Sequence, residues 1–309
     1  MADILALGEP MVEFNQTRPG EPQFLQGFGG DTSNAMIAAT RQGARCGYLS
    51  AVGDDAFGAL LRQLWRQEGV DDAGVATDPA AHTAVYFVTH DAGGHAFSYL
   101  RAGSAASRMT PRSLPLERIG AARWLHVSGI SQAISVTACD TVFAAIEAAH
   151  AAGTRVSYDP NVRLRLWPLA RARAIVAHTM RLLGPDDLFL PGLDDARLLA
   201  DAHGADDMID WARAHGVRRM VGKLGADGCF VVEGDTRTRI AAQRVEAVDA
   251  TGAGDCFDGA LLARLAAGDA LAEAARYANA AAALAATGFG AVQPIPSPQR
   301  VRALLDAGG

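Results

Sequence analysis

The segment DATGAGDCF, Asp249–Phe257, places glycines and other small residues around two acids, immediately before a long apolar run. Apolar side chains recur every four positions from Phe257 to Leu265, and Gly268 follows, which predicts an amphipathic helix that ends there. The TGAG part therefore lies at a helix N-terminus. Unpaired backbone N–H groups and the helix dipole bind anions at such a position, and glycine lets a phosphate approach the backbone closely.

Asp255 gives this anion site a candidate general base. Backbone N–H groups would hold a phosphoryl group while the carboxylate takes a proton from an attacking hydroxyl. An acid in the first turn of a helix also complements the helix dipole, so a purely structural role is the alternative. The sequence contains no GxxxxGK[ST], and no GxGxxG follows its first predicted strand. A P-loop is therefore excluded, and a dinucleotide-binding fold lacks its signature.

Short apolar segments alternate with longer Ala/Leu-rich segments along most of the chain. Six segments that close with Gly, Asn or Pro are predicted strands: DILALG, CGYLSAVG, RWLHVSG, RVSYDPN, DLFLPG and RRMVGKLG. Helices are predicted for 57–67, 136–151, 169–183 and 206–215, and the run ANAAAALAATG is interpreted as a buried helix. The alternation predicts an α/β fold with a mostly parallel sheet and helices on both faces, which binds ligands beyond the carboxyl ends of its strands.

One region departs from this alternation. Thr83–Leu100 consists of two predicted strands joined by an Asp-Ala-Gly-Gly turn, with no helix between them. The β-like segment MVEFNQ follows the first strand. Together these segments predict a small antiparallel flap beside the main sheet, and an edge hairpin without function is the alternative.

Composition excludes several classes of protein. Half of the 309 residues are apolar, the net charge is −6, and the basic residues are scattered, which gives no support for nucleic acid or an anionic membrane as the partner. The four cysteines form no CxxC pair, so neither a zinc site nor a disulfide framework is expected: Cys46, Cys139, Cys229 and Cys256. Without a signal peptide or a bilayer-length apolar run, we expect a soluble cytoplasmic protein.

Two motifs together resemble one family. DATGAGDCFDGAL is similar to the C-terminal signature of the ribokinase-like (PfkB) carbohydrate kinases, and the segment Gly29–Gly58 is similar to their N-terminal signature. The resemblance extends over nearly the whole chain. It implies a single domain over 1–309 with a three-layer α/β fold, a small β lid built from about 10–28 and 82–104, and transfer of the γ-phosphoryl group of ATP to a sugar hydroxyl.

The resemblance also implies roles for individual residues. Asp255 becomes the catalytic base, and the anion hole consists of Gly252, Ala253 and Gly254. The floor of the sugar site consists of Gly29, Gly30, Asp31 and Asn34. The loop KLGADG places Lys223, Gly225 and Gly228 along ATP, and Asn279 falls where the family binds adenine. A surface turn and a polar position on a helix are the structural alternatives for these last two assignments.

The metal assignment follows from a departure from the family pattern. Many members carry Asn-x-x-Glu where this chain has PGLDDARLL, with Gly192 and Asp195 at the corresponding positions. Asp195 can hold a water bound to Mg²⁺, whereas Gly192 cannot replace an amide. The resemblance further implies a homo-oligomer, specifically a dimer, and admits a monovalent cation such as K⁺.

The segment DPNVRLRLW resembles a run typical of the 2-keto-3-deoxygluconate kinases within the family, as do LHVSGI and RAGSAAS. Arg163 follows the end of a predicted strand, and Arg101 ends the predicted lid strand beside Tyr99, with Tyr86 on the partner strand. A guanidinium pairs bidentately with a carboxylate, and tyrosines can bind sugar hydroxyls, so an acidic sugar is favoured. A structural ion pair is the alternative for each arginine.

Three hypotheses follow. The first is a kinase that phosphorylates the 6-hydroxyl of 2-keto-3-deoxygluconate. The second is a kinase of a neutral sugar, fructose or ribose, because Leu100 and Phe289 depart from the residues that close relatives of the first class carry. The third is a non-catalytic sugar-binding regulator, which the intact Asp255 and its glycines argue against.

Overall fold

A computed structural model of the chain describes residues 2–91 and 94–307, and in these ranges two β-sheets and eleven α-helices are present. The strands, in chain order, are β1 Ile4–Leu7, β2 Met11–Gln16, β3 Phe24–Gly29, β4 Cys46–Gly53, β5 Asp71–Asp78, β6 Val85–Asp91, β7 Gly94–Leu100, β8 Trp124–Ser128, β9 Arg155–Asp159, β10 Leu188–Phe189, β11 Arg219–Lys223, β12 Cys229–Glu233 and β13 Thr236–Ile240. The helices are α1 Asp31–Arg41, α2 Ala56–Glu68, α3 Leu116–Ala121, α4 Gly129–Ala133, α5 Val136–Ala152, α6 Leu169–Leu182, α7 Leu193–Ala200, α8 Ala205–Ala214, α9 Ala253–Ala267, α10 Leu271–Ala285 and α11 Pro298–Ala307. None of these helices is long and apolar enough to cross a membrane.

The large sheet has the strand order β13-β12-β11-β10-β9-β8-β1-β4-β5. Every pairing from β11 to β5 is parallel, and only β12 and β13 at one edge are antiparallel. All six strands predicted from the sequence are present, and the four predicted helices agree with α2, α5, α6 and α8 to within one residue at either end. The mostly parallel three-layer α/β fold is therefore confirmed.

The central strand β1 shows why the strands of this sheet appear in the sequence as continuous apolar runs. Ile4 and Ala6 belong to one buried core, whereas Leu5 and Leu7 belong to the other. Successive side chains of a strand point to opposite faces, and both faces of this sheet are covered by helices. Each position of β1 is consequently apolar and buried.

The small sheet has the order β3-β2-β6-β7 and lies beside the carboxyl edge of the large sheet. β2 pairs antiparallel with β3, and β6 with β7, but the central pair β2–β6 is parallel. The prediction of a purely antiparallel flap is therefore wrong. β2 follows β1 in the chain, and β6 follows β5. Because β1 and β5 are parallel and end at the same edge of the large sheet, β2 and β6 start from that edge and run in the same direction. Two residues of the predicted Asp-Ala-Gly-Gly turn, Ala92 and Gly93, lie outside the described residues.

The helix α9 differs from its prediction in one respect. It ends at Gly268 as expected, but its side chains are buried on almost every side rather than along one stripe. The reason is that α9 packs between α1 and α10, and α10 is the predicted Ala-rich buried helix. Contact with α1 is close: a Cβ on Gly259 would lie 2.1 Å from the carbonyl oxygen of Ala35. Glycine at position 259 therefore lets the two helices approach.

Candidate active site

A cavity of about 920 Å³ lies between the small sheet and the carboxyl edge of the large sheet. Open parallel sheets bind ligands at this edge. Most of the residues singled out from the sequence line this cavity: Gly29, Gly30, Asp31, Asn34, Tyr86, Tyr99, Arg101, Arg163, Gly192, Asp195, Lys223, Gly225, Gly252, Gly254 and Asp255. Residues from the N-terminal and C-terminal parts of the chain thus meet at this cavity.

Three assigned residues do not line the cavity. Gly228 turns the chain into β12 with a φ of 89°, and a Cβ there would lie 2.2 Å from the Ile240 carbonyl oxygen, so a structural reason for this glycine is present. Asn279 is buried on α10 and its Nδ2 donates to the Ala241 carbonyl oxygen at 2.8 Å. Ala253 begins α9, and its N–H donates to the Ala250 carbonyl oxygen at 3.1 Å.

The N-terminus of α9 provides two open backbone donors. Gly252 precedes the helix with a φ of 73°, a conformation that favours glycine, and a Cβ there would lie 2.8 Å from Ala291. Among the described residues, the N–H groups of Gly254 and Asp255 have no acceptor. The open donors are therefore those of Gly254 and Asp255 rather than that of Ala253, and together with the helix dipole they can hold an anion.

Asp255 lies in the first turn of α9 beside these donors. Its Oδ2 accepts a hydrogen bond from the Nδ2 of Asn34 at 2.8 Å. Burial and the nearby carboxylate of Asp31 raise the pKa of Asp255 to about 7, although Asn34 and Arg163 act in the opposite direction. A carboxyl group with a pKa near neutrality is suited to accept a proton from a hydroxyl at physiological pH.

The floor of the cavity contains an acid that is held by an amide. Asp31 opens α1, and its Oδ2 accepts a hydrogen bond from the Nδ2 of Asn161 at 2.9 Å. Burial raises the pKa of Asp31. Asn161 has a φ of 34° and donates its N–H to the Oδ1 of Asp159 at 3.1 Å. Asn161 was not predicted as a site residue, although an Asn directly after Asp-Pro at a strand end is a residue that tolerates positive φ.

Lys223, at the end of β11, is held by two carboxylates. Its Nζ donates to Asp159 at 2.9 Å and to Asp258 at 3.0 Å, and its side chain is 15% exposed. Burial alone would lower the pKa of Lys223, but the two carboxylates outweigh burial and raise it. Asp258 was not predicted as a site residue, and its one signal in the sequence is its position three residues after Asp255. The ammonium group remains close to the anion site, 3.9 Å from where a Cβ on Gly254 would lie.

The two arginines assigned to a sugar carboxylate have different surroundings. The Nε of Arg101 donates to the Oε2 of Glu9 at 2.8 Å, and Glu9 is 1% exposed and also accepts from Ser104. Arg101 therefore fits the alternative of a structural ion pair. This pair joins the residue Glu9, which precedes β2, to the end of β7. Arg163 is exposed, forms no ion pair with any described residue, and donates to the Val162 carbonyl oxygen at 3.0 Å.

The tyrosines of the small sheet face the cavity as a stacked pair. The rings of Tyr86 and Tyr99 have centroids 5.7 Å apart. The hydroxyl of Tyr86 donates to the buried carboxylate of Glu13, so its proton is already engaged. Gly29 lies against Tyr86, where a Cβ would be 2.7 Å from the ring. Of the two tyrosines, Tyr99 therefore has the hydroxyl that is more available to a ligand.

Asp195 has the surroundings of a group that can hold a metal-bound water. Its Oδ1 accepts from the Val162 N–H at 2.7 Å and its Oδ2 from the Gly192 N–H at 3.3 Å. Burial and the charge of Asp159 raise the pKa of Asp195 to about 6. Within the described ranges, no three acidic, histidine or cysteine side chains form a metal-binding group. The donor set fits hydrated Mg²⁺, which keeps several waters and takes few protein ligands.

The mostly parallel sheet with a small sheet across its carboxyl edge agrees with the ribokinase-like α/β fold that the sequence resemblance implies. A family model described as "pfkB family carbohydrate kinase" matches residues 1–298. The chain belongs to this family.

Individual relatives are similar over nearly their full length. A 2-dehydro-3-deoxygluconokinase of Thermoproteus tenax is 34% identical over 315 residues, which cover 99% of this chain and 95% of the relative. Fructokinase-1 of Oryza sativa subsp. japonica is 33% identical over 324 residues, which cover 98% of each chain. A putative ribokinase II from E. coli, solved with ATP and Mg²⁺, has a TM-score of 0.89 at 26% identity and covers 99% of this chain and 100% of its own. The relatives therefore establish a sugar kinase without distinguishing the sugar.

We expect Arg101→Met to lower the free energy of unfolding by about 3–5 kcal/mol, because Glu9 would remain buried without its ionic partner. Arg163→Met is the matched control, since Arg163 has no ion pair to lose. Its effect should stay within about 0.5 kcal/mol. Urea denaturation followed by circular dichroism measures both values. Equal losses in the two variants would contradict the structural role of Arg101.

Proposed function

We propose that this carbohydrate kinase transfers the γ-phosphoryl group of ATP to the 6-hydroxyl of 2-keto-3-deoxygluconate. The observation that supports an acidic sugar is the state of Arg163. Its guanidinium lines the cavity, is exposed, and pairs with no carboxylate of the described residues. A guanidinium of this kind can bind a sugar carboxylate through two parallel hydrogen bonds.

Asp255 acts as the general base in this proposal. The bond between the hydroxyl oxygen and phosphorus forms while the bond between phosphorus and the ADP oxygen breaks, and the hydroxyl proton moves to the carboxylate. The open N–H groups of Gly254 and Asp255 hold the transferred phosphoryl group. Gly252 supports them because its left-handed turn directs the start of α9 towards the cavity.

The remaining nucleotide contacts follow from the assigned loop. Lys223 and Gly225 line the cavity and are proposed to lie along ATP, Gly228 shapes the turn behind them, and Asn279 is proposed to lie near the adenine. Asp195 would hold the water shell of Mg²⁺, an ion that neutralises charge on the phosphates when it is bound.

A neutral ketose is the second candidate substrate. The rice fructokinase is nearly as similar to this chain as the 2-dehydro-3-deoxygluconokinase of Thermoproteus tenax. Asp31, Asn34 and Tyr99 offer hydrogen bonds to hydroxyl groups that either sugar carries. A non-catalytic regulator is disfavoured, because a binding protein needs neither a base with a raised pKa nor open anion donors beside it.

Asp255→Asn should lower kcat by about 10²–10⁴-fold while ATP and sugar still bind, because the amide cannot accept the proton. In the wild-type enzyme, burial raises the pKa of the base to about 7, so kcat/KM should fall as the pH drops through this value. An assay that couples ADP release to NADH oxidation measures both, and calorimetry measures binding. Near-native turnover of the variant would remove Asp255 from the mechanism.

Arg163→Ala should raise the KM for 2-keto-3-deoxygluconate by roughly tenfold to a hundredfold, because a charge-assisted pair is lost. Its kcat should change little, since the carboxylate is bound equally in the ground and transition states. Arg163→Lys should recover part of the loss, and phosphorylation of fructose and ribose serves as the control. If wild-type enzyme prefers fructose, or if all substrates lose equally, the acid-sugar proposal fails and the sugar-kinase assignment remains.

We also propose that the small sheet, from about 10–28 and 82–104, is a lid that closes over the sugar and excludes water. The sheet already covers one side of the cavity through Met11, Tyr86 and Tyr99. Saturating sugar should slow amide hydrogen exchange in β6 and β7, with α5, which contributes no residue to the cavity lining, as the internal control. Unchanged exchange in both strands would leave the sheet as a fixed wall.

A further inference from the structure

Asn34 is a buried amide with a hydrogen bond at only one of its two polar atoms. It lies on α1, lines the cavity and is 4% exposed. Its Nδ2 donates to the Oδ2 of Asp255 at 2.8 Å, across a separation of 221 residues in the chain. Its Oδ1 has no hydrogen-bond partner among the described residues. A buried acceptor without a partner is rare in folded proteins, and at the wall of a cavity it indicates a ligand donor.

The hydrogen bond from Asn34 distinguishes the two oxygens of Asp255. Oδ2 is occupied, and no described donor reaches Oδ1. The carboxylate is surrounded by Asp31 and Asp159, which oppose its ionisation, by Arg163, which favours it, and by the hydroxyl of Tyr86 on the small sheet. Asn34 is the one described residue that donates a hydrogen bond to this carboxylate, and a donor stabilises the ionised form.

We propose that Asn34, in addition to the sugar contact already assigned to it, is a positioning residue for the base: it fixes the Asp255 carboxylate so that Oδ1 takes the proton and favours the ionised form of that carboxylate, while its own Oδ1 stays available to a hydroxyl of the same sugar. The amide then links sugar binding to the orientation of the base. The inference rests on the proposed function, since it requires Asp255 to be the base of a sugar kinase.

A contact with sugar alone would make a different prediction. Such a contact alters the KM and leaves the pH dependence of the reaction unchanged, because it does not change the ionisation of Asp255. A positioning residue alters the pH dependence as well. The acid limb of kcat/KM against pH is therefore the readout that separates the two roles.

The first experiment measures kcat and kcat/KM from pH 5 to 10 for wild type, Asn34→Ala and Asn34→Asp. In Asn34→Ala, loss of the donor should move the acid limb upward by about one pH unit. The base starts with a pKa of about 7, so the ionised fraction at pH 7 would fall about fivefold, and the deficit should shrink as the pH rises. Asn34→Asp should move the limb further, because two adjacent carboxylates cannot both ionise readily.

Thr40→Ala is the matched control for these variants. Thr40 lies on the same helix and its Oγ1 donates to the Met36 carbonyl oxygen, away from the cavity lining. This variant also loses one hydrogen bond on α1, and its acid limb should coincide with that of wild type. Alanine is well tolerated in a helix, and the isosteric Asn34→Asp provides a second test if Asn34→Ala does not fold.

The second experiment follows the side-chain carboxyl ¹³C signal of Asp255 in substrate-free protein, assigned by its loss in Asp255→Asn. The midpoint of its titration should move upward in Asn34→Ala and stay in place in Thr40→Ala. A raised KM with an unmoved acid limb and an unmoved carboxyl titration would overturn the proposal and leave the kinase intact. Absence of kinase activity with every sugar would instead overturn the proposed function, while the carboxyl titration would still report on Asn34.

Discussion

The close contact between α1 and α9 is the constraint on which the site depends. A Cβ on Gly259 would collide with the Ala35 carbonyl oxygen at 2.1 Å, so the two helix axes can approach only because that position is glycine. This approach brings Asn34, one turn into α1, within hydrogen-bond distance of Asp255, in the first turn of α9. Packing of two helices through their backbones thus sets the distance between the two side chains that the proposed chemistry needs.

Both helices begin in the same way at the cavity. Gly30 precedes α1 with a φ of 107°, and Gly252 precedes α9 with a φ of 73°, so the chain turns sharply at the start of each helix. The helix N-termini bring positive potential to a cavity whose walls carry several acids. Burial raises the pKa of Asp31 and of Asp255, yet backbone and amide donors at the same ends stabilise their ionised forms. One arrangement therefore combines open backbone donors with a carboxyl group whose pKa is raised to about 7.

Contiguous patterns in the sequence identified most of the fold and the segments that form the site. They could not identify side-chain pairs between distant segments, because such pairs depend on how elements cross in three dimensions. Lys223 was expected along ATP, yet its ammonium group is bound by Asp159 and Asp258, which lie 64 and 35 residues away. Asn161 was missed for the same reason, since its role is visible only once Asp31 lies beside it. The parallel pairing of β2 and β6 likewise follows from the shared exit edge of two strands rather than from their own residues.

The charges of the cavity divide its cations into those paired with carboxylates and those that are not. Arg101 pairs with Glu9, and Lys223 pairs with both Asp159 and Asp258, so each of these cations stabilises buried carboxylates that would be costly without a partner. Arg163 and Arg165 line the cavity without an ion pair to any described residue. A cavity with several acids would repel an anionic sugar unless one cation remained available to it, whereas a neutral sugar has no such requirement. The partners of the buried cations therefore determine which arginines remain available to a substrate, and residue type or position in the sequence alone does not reveal those partners.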